Sequence, residues 1–264
     1  MTDPRDILAQ TADLDTPLLV FCPDRLKDNI AELRRFPVEI SFPVKSNYSR
    51  TILREVASLV DSFDVQSVWE ASLLPEGSAM RFHSPLLDMQ ILTLDALRQV
   101  TVNSPEQSAI LADHAPNLRW GCRVTLPAVE ADQFISTSDK FGVPLDILPD
   151  ILTEAVRAGR PCRYLHHHST SRLSDPATAR RLSEELCALI AGLPDQVVAA
   201  MDSVCIGGGL DGAGELRTKG NAAADLMAEL LAPIQQHFSQ LHVVIEPGRY
   251  LVEDSCFAVT TVGE

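Results

Sequence analysis

The sequence predicts an α/β protein of (β/α)8 barrel form. Three observations carry that expectation: a short apolar strand followed by a helix recurs eight times, 264 residues are enough for one such barrel, and chemically capable residues stand at strand ends. Periodicity alone fits a doubly wound parallel sheet almost as well. The composition agrees with one sizeable core: 45% of the residues are hydrophobic and only 5% aromatic, so the packing is expected to be mostly aliphatic.

The eight strands are placed near 39–45 (EISFPVK), 63–67 (FDVQS), 80–83 (MRFH), 99–103 (QVTVN), 118–124 (LRWGCRV), 162–168 (CRYLHHH), 203–207 (SVCIG) and 241–246 (LHVVIE). The third and fourth carry the weakest signal. Ser49 stands where a cap would precede Ile52, Leu53, Val56, Leu59 and Val60, which share one helical face. Asp175 and Pro176 open a second helix, striped by Leu182, Leu186, Leu189, Ile190 and Leu193. Residues 222–238 give a third. Two apolar segments, 16–21 (TPLLVF) and 255–262 (SCFAVTTV), read as strands outside the barrel.

The formal charge of −14, from 36 acidic and 22 basic residues, argues against nucleic acid or an anionic membrane surface as a partner. A phosphate-bearing ligand must then be held by local groups rather than by a basic field. No apolar run approaches the ~18 residues of a membrane helix. The polar N-terminus MTDPRDILAQ does not read as a signal peptide. Six scattered cysteines with no CxxC pair fit a reduced, cytoplasmic chain.

Four segments carry chemistry. Lys45 closes an apolar strand in ISFPVKSN; it reads either as a lysine reaching out to water or as a Schiff-base lysine. Gly207, Gly208 and Gly209 follow a strand and can form a nest of N–H groups for a phosphate, or a simple flexible turn. Glu246-Pro247-Gly248-Arg249 sets a carboxylate at a strand end and an arginine just beyond it. A buried carboxylate there could face a pyridine nitrogen while Arg249 forks onto a phosphate; the alternative is a surface ion pair around a turn. In Tyr164-Leu165-His166-His167-His168-Ser169, His166 and His168 share one strand face and His167 takes the other. A metal cluster, core histidines and a ring stacked on a flat cofactor compete there, metal being weakest for want of an acidic or cysteine partner at ligand spacing.

Taken in order, PVKSN, FDVQSVWE, KFGVPL, the histidine strand, the triple glycine and EPGR resemble the fold type III pyridoxal-phosphate decarboxylases, the ornithine, arginine and diaminopimelate group. The resemblance spans nearly all of 16–262 and implies an alanine racemase-like, TIM-type barrel that binds pyridoxal 5'-phosphate. It implies that Lys45 bears the cofactor as a Schiff base, that His168 stacks on its ring, and that Glu246 pairs with its pyridine nitrogen. Gly207, Gly208, Gly209, Arg249 and Ser171 would hold the phosphate; Asp64, Glu70 and Arg123 would surround the lysine. The segment Ser169-Thr170-Ser171 departs from the apolar-Gly-Ser that usually follows the stacking histidine.

Three regions are expected: 1–35 as an N-terminal strand and helix leading into the barrel, 36–250 as the cofactor-binding barrel, and 251–264 as the start of a truncated or absent β-domain. The expected activity is decarboxylation of a basic or dicarboxylic amino acid, because a carboxylate at the pyridine nitrogen makes the ring a strong electron sink. The expected partners are a small amino acid and either further copies of this chain or a chain bearing a β-domain. A non-catalytic cofactor carrier and a degenerate scaffold partner of a complete enzyme are the alternatives.

Overall fold

The structure is a computed structural model and describes residues 4–126, 141–168, 173–220 and 222–262. Ten strands are found among them. β1 (Leu18–Phe21) and β10 (Cys256–Val259) pair antiparallel with each other; β2 (Val38–Pro43), β3 (Ser62–Val65), β4 (Met80–His83), β5 (Leu97–Val102), β6 (Arg119–Val124), β7 (Tyr164–His168), β8 (Ser203–Gly207) and β9 (His242–Glu246) close in sequence order into a parallel barrel. Closure is made where β2 meets β9, with Val38 opposite Val243 and Ile40 opposite Ile245. The expected barrel is therefore the observed one, and the doubly wound alternative falls because the sheet has no edge.

Alternation along the strands sorts the side chains into two environments. Ile40 and Phe42, Phe63 and Val65, Val100 and Val102, Leu165, Val204 and Ile206 are buried in the large apolar cluster that joins strands to helices. The other set faces the barrel axis and is largely polar. Near the N-terminal ends of the strands, Arg81 Nε donates to Ser62 Oγ (2.9 Å), Ser62 Oγ meets Ser41 Oγ (3.0 Å), and the Arg81 guanidinium pairs with Glu39. Arg119 clamps Asp202 with both amino groups at 2.6 Å. Above this lies a small apolar layer of Tyr164, Cys205 and Val244. The aliphatic core foreseen from composition is thus the shell between sheet and helices, not the barrel axis.

The helices follow their sequence signals. Asp175 accepts from the Thr178 N–H at 2.9 Å, and Pro176 opens the helix Pro176–Ala191, which buries Leu182, Leu186 and Ile190. That helix packs on the helix Ala223–His237. Ser49 occupies the N-cap position of the helix Arg50–Ala57, but its side chain makes no capping bond. The helix Pro23–Leu33 buries Leu26, Ile30 and Leu33 and packs against both the Ala223–His237 helix and the short helix Gly248–Val252.

The two segments that read as strands outside the barrel are both strands, and neither is left alone. They pair with each other, Leu18 opposite Val259 and Phe21 opposite Cys256, because the first and last segments leave the barrel side by side. All six cysteines are free, and no helix among the described residues is long and apolar enough to cross a membrane.

Gly121 shows how tightly the axis is filled. A Cβ there would lie 2.5 Å from both the ring and the carbonyl oxygen of Tyr164, whose hydroxyl is 2.8 Å from Thr101 Oγ1. Gly121→Ala is therefore expected to cost about 1–3 kcal/mol through forced displacement of a packed ring. A urea unfolding midpoint measures it. Gly192→Ala is the control, since its Cβ meets nothing closer than 3.5 Å, and it should change the midpoint little.

Candidate active site

The C-terminal ends of the strands converge on one recess, lined by Pro43, Lys45, Asp64, Gln66, His83, Arg123, His166, His168 and Glu246. Lys45 does not close its strand, as the apolar run suggested. Pro43 ends β2, and residues Val44–Ser46 form a single 3-10 turn held by Ser46 Oγ donating to the Pro43 carbonyl (2.7 Å). The turn buries Val44 and leaves Lys45 exposed at the rim. It rests on the other motif of the mouth: a Cβ on Gly248 would fall 2.7 Å from Pro43 Cγ and 2.8 Å from Ser46 Cβ, so only glycine lets the two turns touch.

Glu246 is the deep end of the recess and is 4% exposed. Its Oε1 lies 3.1 Å from His166 Nε2, 3.8 Å from His83 Nδ1, and accepts from Cys205 Sγ at 3.1 Å. Its Oε2 lies 3.5 Å from His168 Nδ1. Burial alone would raise the carboxyl, but His166 and His83 outweigh it and hold Glu246 well below the usual carboxylate range. Asp64 goes the other way, raised by burial and then by the nearby Glu246 charge. Burial also lowers His83, His166 and His168, so the three imidazoles favour their neutral forms. His167 points away, its Nδ1 3.2 Å from the Val124 carbonyl, and burial brings it down to about 3.

The glycine loop fits closely beside these groups. A Cβ on Gly207 would lie 2.4 Å from Glu246 Oε2 and 2.7 Å from His168 Nδ1. Gly208 and Gly209 both have left-handed backbones, φ 66° and 84°, and a Cβ on Gly208 would strike the His168 ring at 2.6 Å. The KFGVPL segment is fixed to the end of β6: Val143 N–H donates to the Arg123 carbonyl (2.8 Å), and Arg123 stacks 4.5 Å from the Phe141 ring centre.

Of the residues singled out from sequence, the fold brings Lys45, Asp64, Arg123, His168 and Glu246 into the recess, with Gly207 and Gly208 against its wall. Two are placed otherwise. The Glu70 side chain turns to its own loop, accepting from the Gln66 N–H (2.6 Å) and the Tyr48 hydroxyl (3.2 Å), while Ser67 Oγ accepts from the Glu70 N–H. That is a helix-start box, and it ties the buried carboxylate to Gln66, which itself lines the recess. Arg249 lies in the short helix Gly248–Val252 and is exposed. Ser171 lies outside the described residues.

Sequence reasoning missed His83 and gave His166 no role. The available signal was the one used for Lys45, an ionisable residue at the close of an apolar strand. Metal was discounted because no acidic partner lay near the histidines in sequence, yet folding brings His83, His166 and Glu246 within 4.8 Å of one another. His166 turns Nδ1 to His83 (3.3 Å) and Nε2 to Glu246 (3.1 Å), while His83 Nδ1 also lies 3.8 Å from Glu246 Oε1.

A barrel with a rim lysine, a deep carboxylate and a glycine loop between them defines a class. Residues 24–253 match the family model described as "Pyridoxal-dependent decarboxylase, pyridoxal binding domain", and the chain belongs to that family. The arginine decarboxylase of Paramecium bursaria Chlorella virus is similar in structure, with a TM-score of 0.78 and 18% identity over 96% of this chain and 69% of that one. Lysine decarboxylase from Selenomonas ruminantium superposes with a TM-score of 0.79 at 21% identity, covering 97% and 68%. The lysine/ornithine decarboxylase of Vibrio vulnificus gives 0.72 at 18%, covering 98% and 71%. No curated protein matches the chain significantly by sequence. The cofactor is pyridoxal phosphate, and the residues fit it: an amine at the rim, an ionised carboxylate at depth, and a side-chain-free cradle that any Cβ would fill.

Proposed function

We propose that this barrel catalyses decarboxylation of a basic or dicarboxylic amino acid, with Lys45 holding the cofactor and Glu246 setting its electronic character. The observation that carries this reading is the buried Glu246 carboxylate, kept ionised by histidines and sharing one recess with Lys45. Bound pyridoxal phosphate supplies the electron sink for the charge left when carbon dioxide departs.

The chain's own residues then have distinct work. Lys45 Nζ would hold the cofactor as a Schiff base at the rim of the recess. Glu246 Oε2, facing the cleared space at Gly207, would accept from the ring nitrogen and favour its protonated form. His168, wedged over Gly208, presents its ring to the flat face of the cofactor. The N–H groups around Gly207, Gly208 and Gly209 take the phosphate. Arg249, exposed in the turn beyond Glu246, and Ser171 remain proposed phosphate ligands. Arg123, held over Phe141, and Asp64 border the lysine, whereas Glu70 supports that wall from behind. Arginine, lysine and ornithine are the substrates named for the similar structures, which supports the basic half of the proposed class.

The paired end strands extend the reading to a partner. β1 and β10 have four residues each and pair only with each other among the described residues, with Leu19 91% exposed. So small a ribbon is marginal alone and offers two outer edges. It lies beside the mouth, since Asn47, two residues after Lys45, donates to Cys256 Sγ in β10 (3.9 Å). We read it as the seed of a larger sheet, completed by a second copy or by a β-domain partner in a cytoplasmic oligomer.

Borohydride reduction of the cofactor-loaded protein should place the pyridoxyl group on Lys45 by peptide mapping; labelling at another lysine counts against the assignment. Glu246→Gln should lower turnover on the order of 10²-fold or more while leaving cofactor loading largely intact, as loss of one transition-state partner commonly does. By size-exclusion and activity measurements, the isolated 264-residue chain should self-associate or turn over poorly until a β-domain chain is added. Efficient turnover by a monomer would overturn the partner reading.

A further inference from the structure

Asp64, His83, His166 and Glu246 come from four strands, β3, β4, β7 and β9, and all four side chains are buried. Their shortest contacts link them in order across the barrel, and His83 Nδ1 also lies 3.8 Å from Glu246 Oε1. Asp64 Oδ1 faces His83 Nε2 at 3.2 Å, His83 Nδ1 faces His166 Nδ1 at 3.3 Å, and His166 Nε2 faces Glu246 Oε1 at 3.1 Å. The Asp64 oxygens, His83 Nε2 and His166 Nε2 have no hydrogen bond of good geometry, although Asp64 Oδ1 and the two ring nitrogens each have a facing partner at hydrogen-bond distance. Buried polar atoms in that position are costly unless a small ring rotation completes the bonds.

A line of this kind conducts only one proton order. A carboxylate at Glu246 needs a donor, so His166 must carry its proton on Nε2 and accept at Nδ1. His83 must then donate from Nδ1 and accept at Nε2, which requires Asp64 to be the protonated acid. Each step agrees with the surroundings: Asp64 favours its neutral form, Glu246 its charged form, and both imidazoles are neutral. Thr101 Oγ1, 2.9 Å from His83 Nδ1 and 2.8 Å from the Tyr164 hydroxyl, meets the same His83 nitrogen and can share its proton with His166.

We propose that Asp64, His83 and His166 form a proton-ordered chain ending on Glu246 Oε1, leaving Oε2 as the fixed counter-charge for the cofactor's ring nitrogen. The proposal rests on the reading of Glu246 given above. His83 and His166 are positioning residues. Without them a buried Glu246 would take up a proton and donate it to the ring nitrogen, so that nitrogen would lose its own proton and the sink would weaken.

The chain's proton order is measured first in the cofactor-free protein, by nitrogen-15 NMR of labelled histidines. His83 is expected as the Nδ1–H tautomer and His166 as Nε2–H; the reverse pair overturns the proposal, whatever the cofactor does. The protein is then loaded with cofactor labelled at the ring nitrogen. Wild type and His166→Gln, which keeps an N–H donor, should show a protonated ring nitrogen. His166→Leu should shift that signal to the neutral pyridine range and lower turnover on the order of 10²-fold. An unchanged ring signal in His166→Leu overturns the proposal; if that variant does not fold, the wild-type tautomers decide. Stoichiometric metal in the purified protein would also overturn it, since ligation at His166 Nε2 removes the donor. A wild type that binds no cofactor defeats the Lys45 and Glu246 reading instead, and leaves the tautomer result standing.

Discussion

A carboxylate inside a closed barrel must be paired, and the mouth of this barrel is arranged around pairing Glu246. Its two oxygens are divided. Oε1 is met by His166, Cys205 and His83, whereas Oε2 is left toward His168 and the space cleared by Gly207. Strand register makes this possible: Gly207 lies opposite Glu246 on one side and His168 on the other, so three motifs distant in sequence meet at one level. A methyl group on Gly207 would occupy the very oxygen that the site must present.

Polarity along the axis has a structural cost that the lower layers help to carry. Arg81 is buried deep in the barrel and is satisfied by Glu39 and Ser62. Removing one partner of such a set leaves an uncompensated charge, so these layers are coupled rather than additive. The Tyr164, Cys205 and Val244 layer separates them from the recess and ties to it through Tyr164, Thr101 and His83.

Much of this was legible in the sequence. The eight strands fall within a few residues of their expected places because each is short, apolar and closed by a chemically distinct residue. His166 and His168 share a face, as period two demands. What was not legible depended on three dimensions. Lys45 lies past its strand because Pro43 ends it, a local effect hidden by the apolar run. Glu70 was engaged by the Gln66 N–H of its own loop and the Tyr48 hydroxyl, contacts that its spacing in sequence does not announce. His83 gains meaning only from closure, which brings the β4 and β7 strands across the axis from one another.

The ribbon follows from the same closure. Asp254 accepts from Asn29 (2.8 Å) and Arg25 (3.2 Å) of the helix Pro23–Leu33, and also pairs with Arg217. The Cys22 N–H then donates to the Ser255 carbonyl at 2.8 Å, so β1 and β10 leave the barrel already in register. The anchor is half-buried and shared by three cations and amides, which makes it less sensitive to salt than a surface pair. Because β10 also touches Asn47, the orientation of the ribbon is fixed relative to the Lys45 turn. Any strand added to the ribbon therefore grows from a frame that the barrel sets, and it meets the mouth at a defined height rather than through a flexible tether.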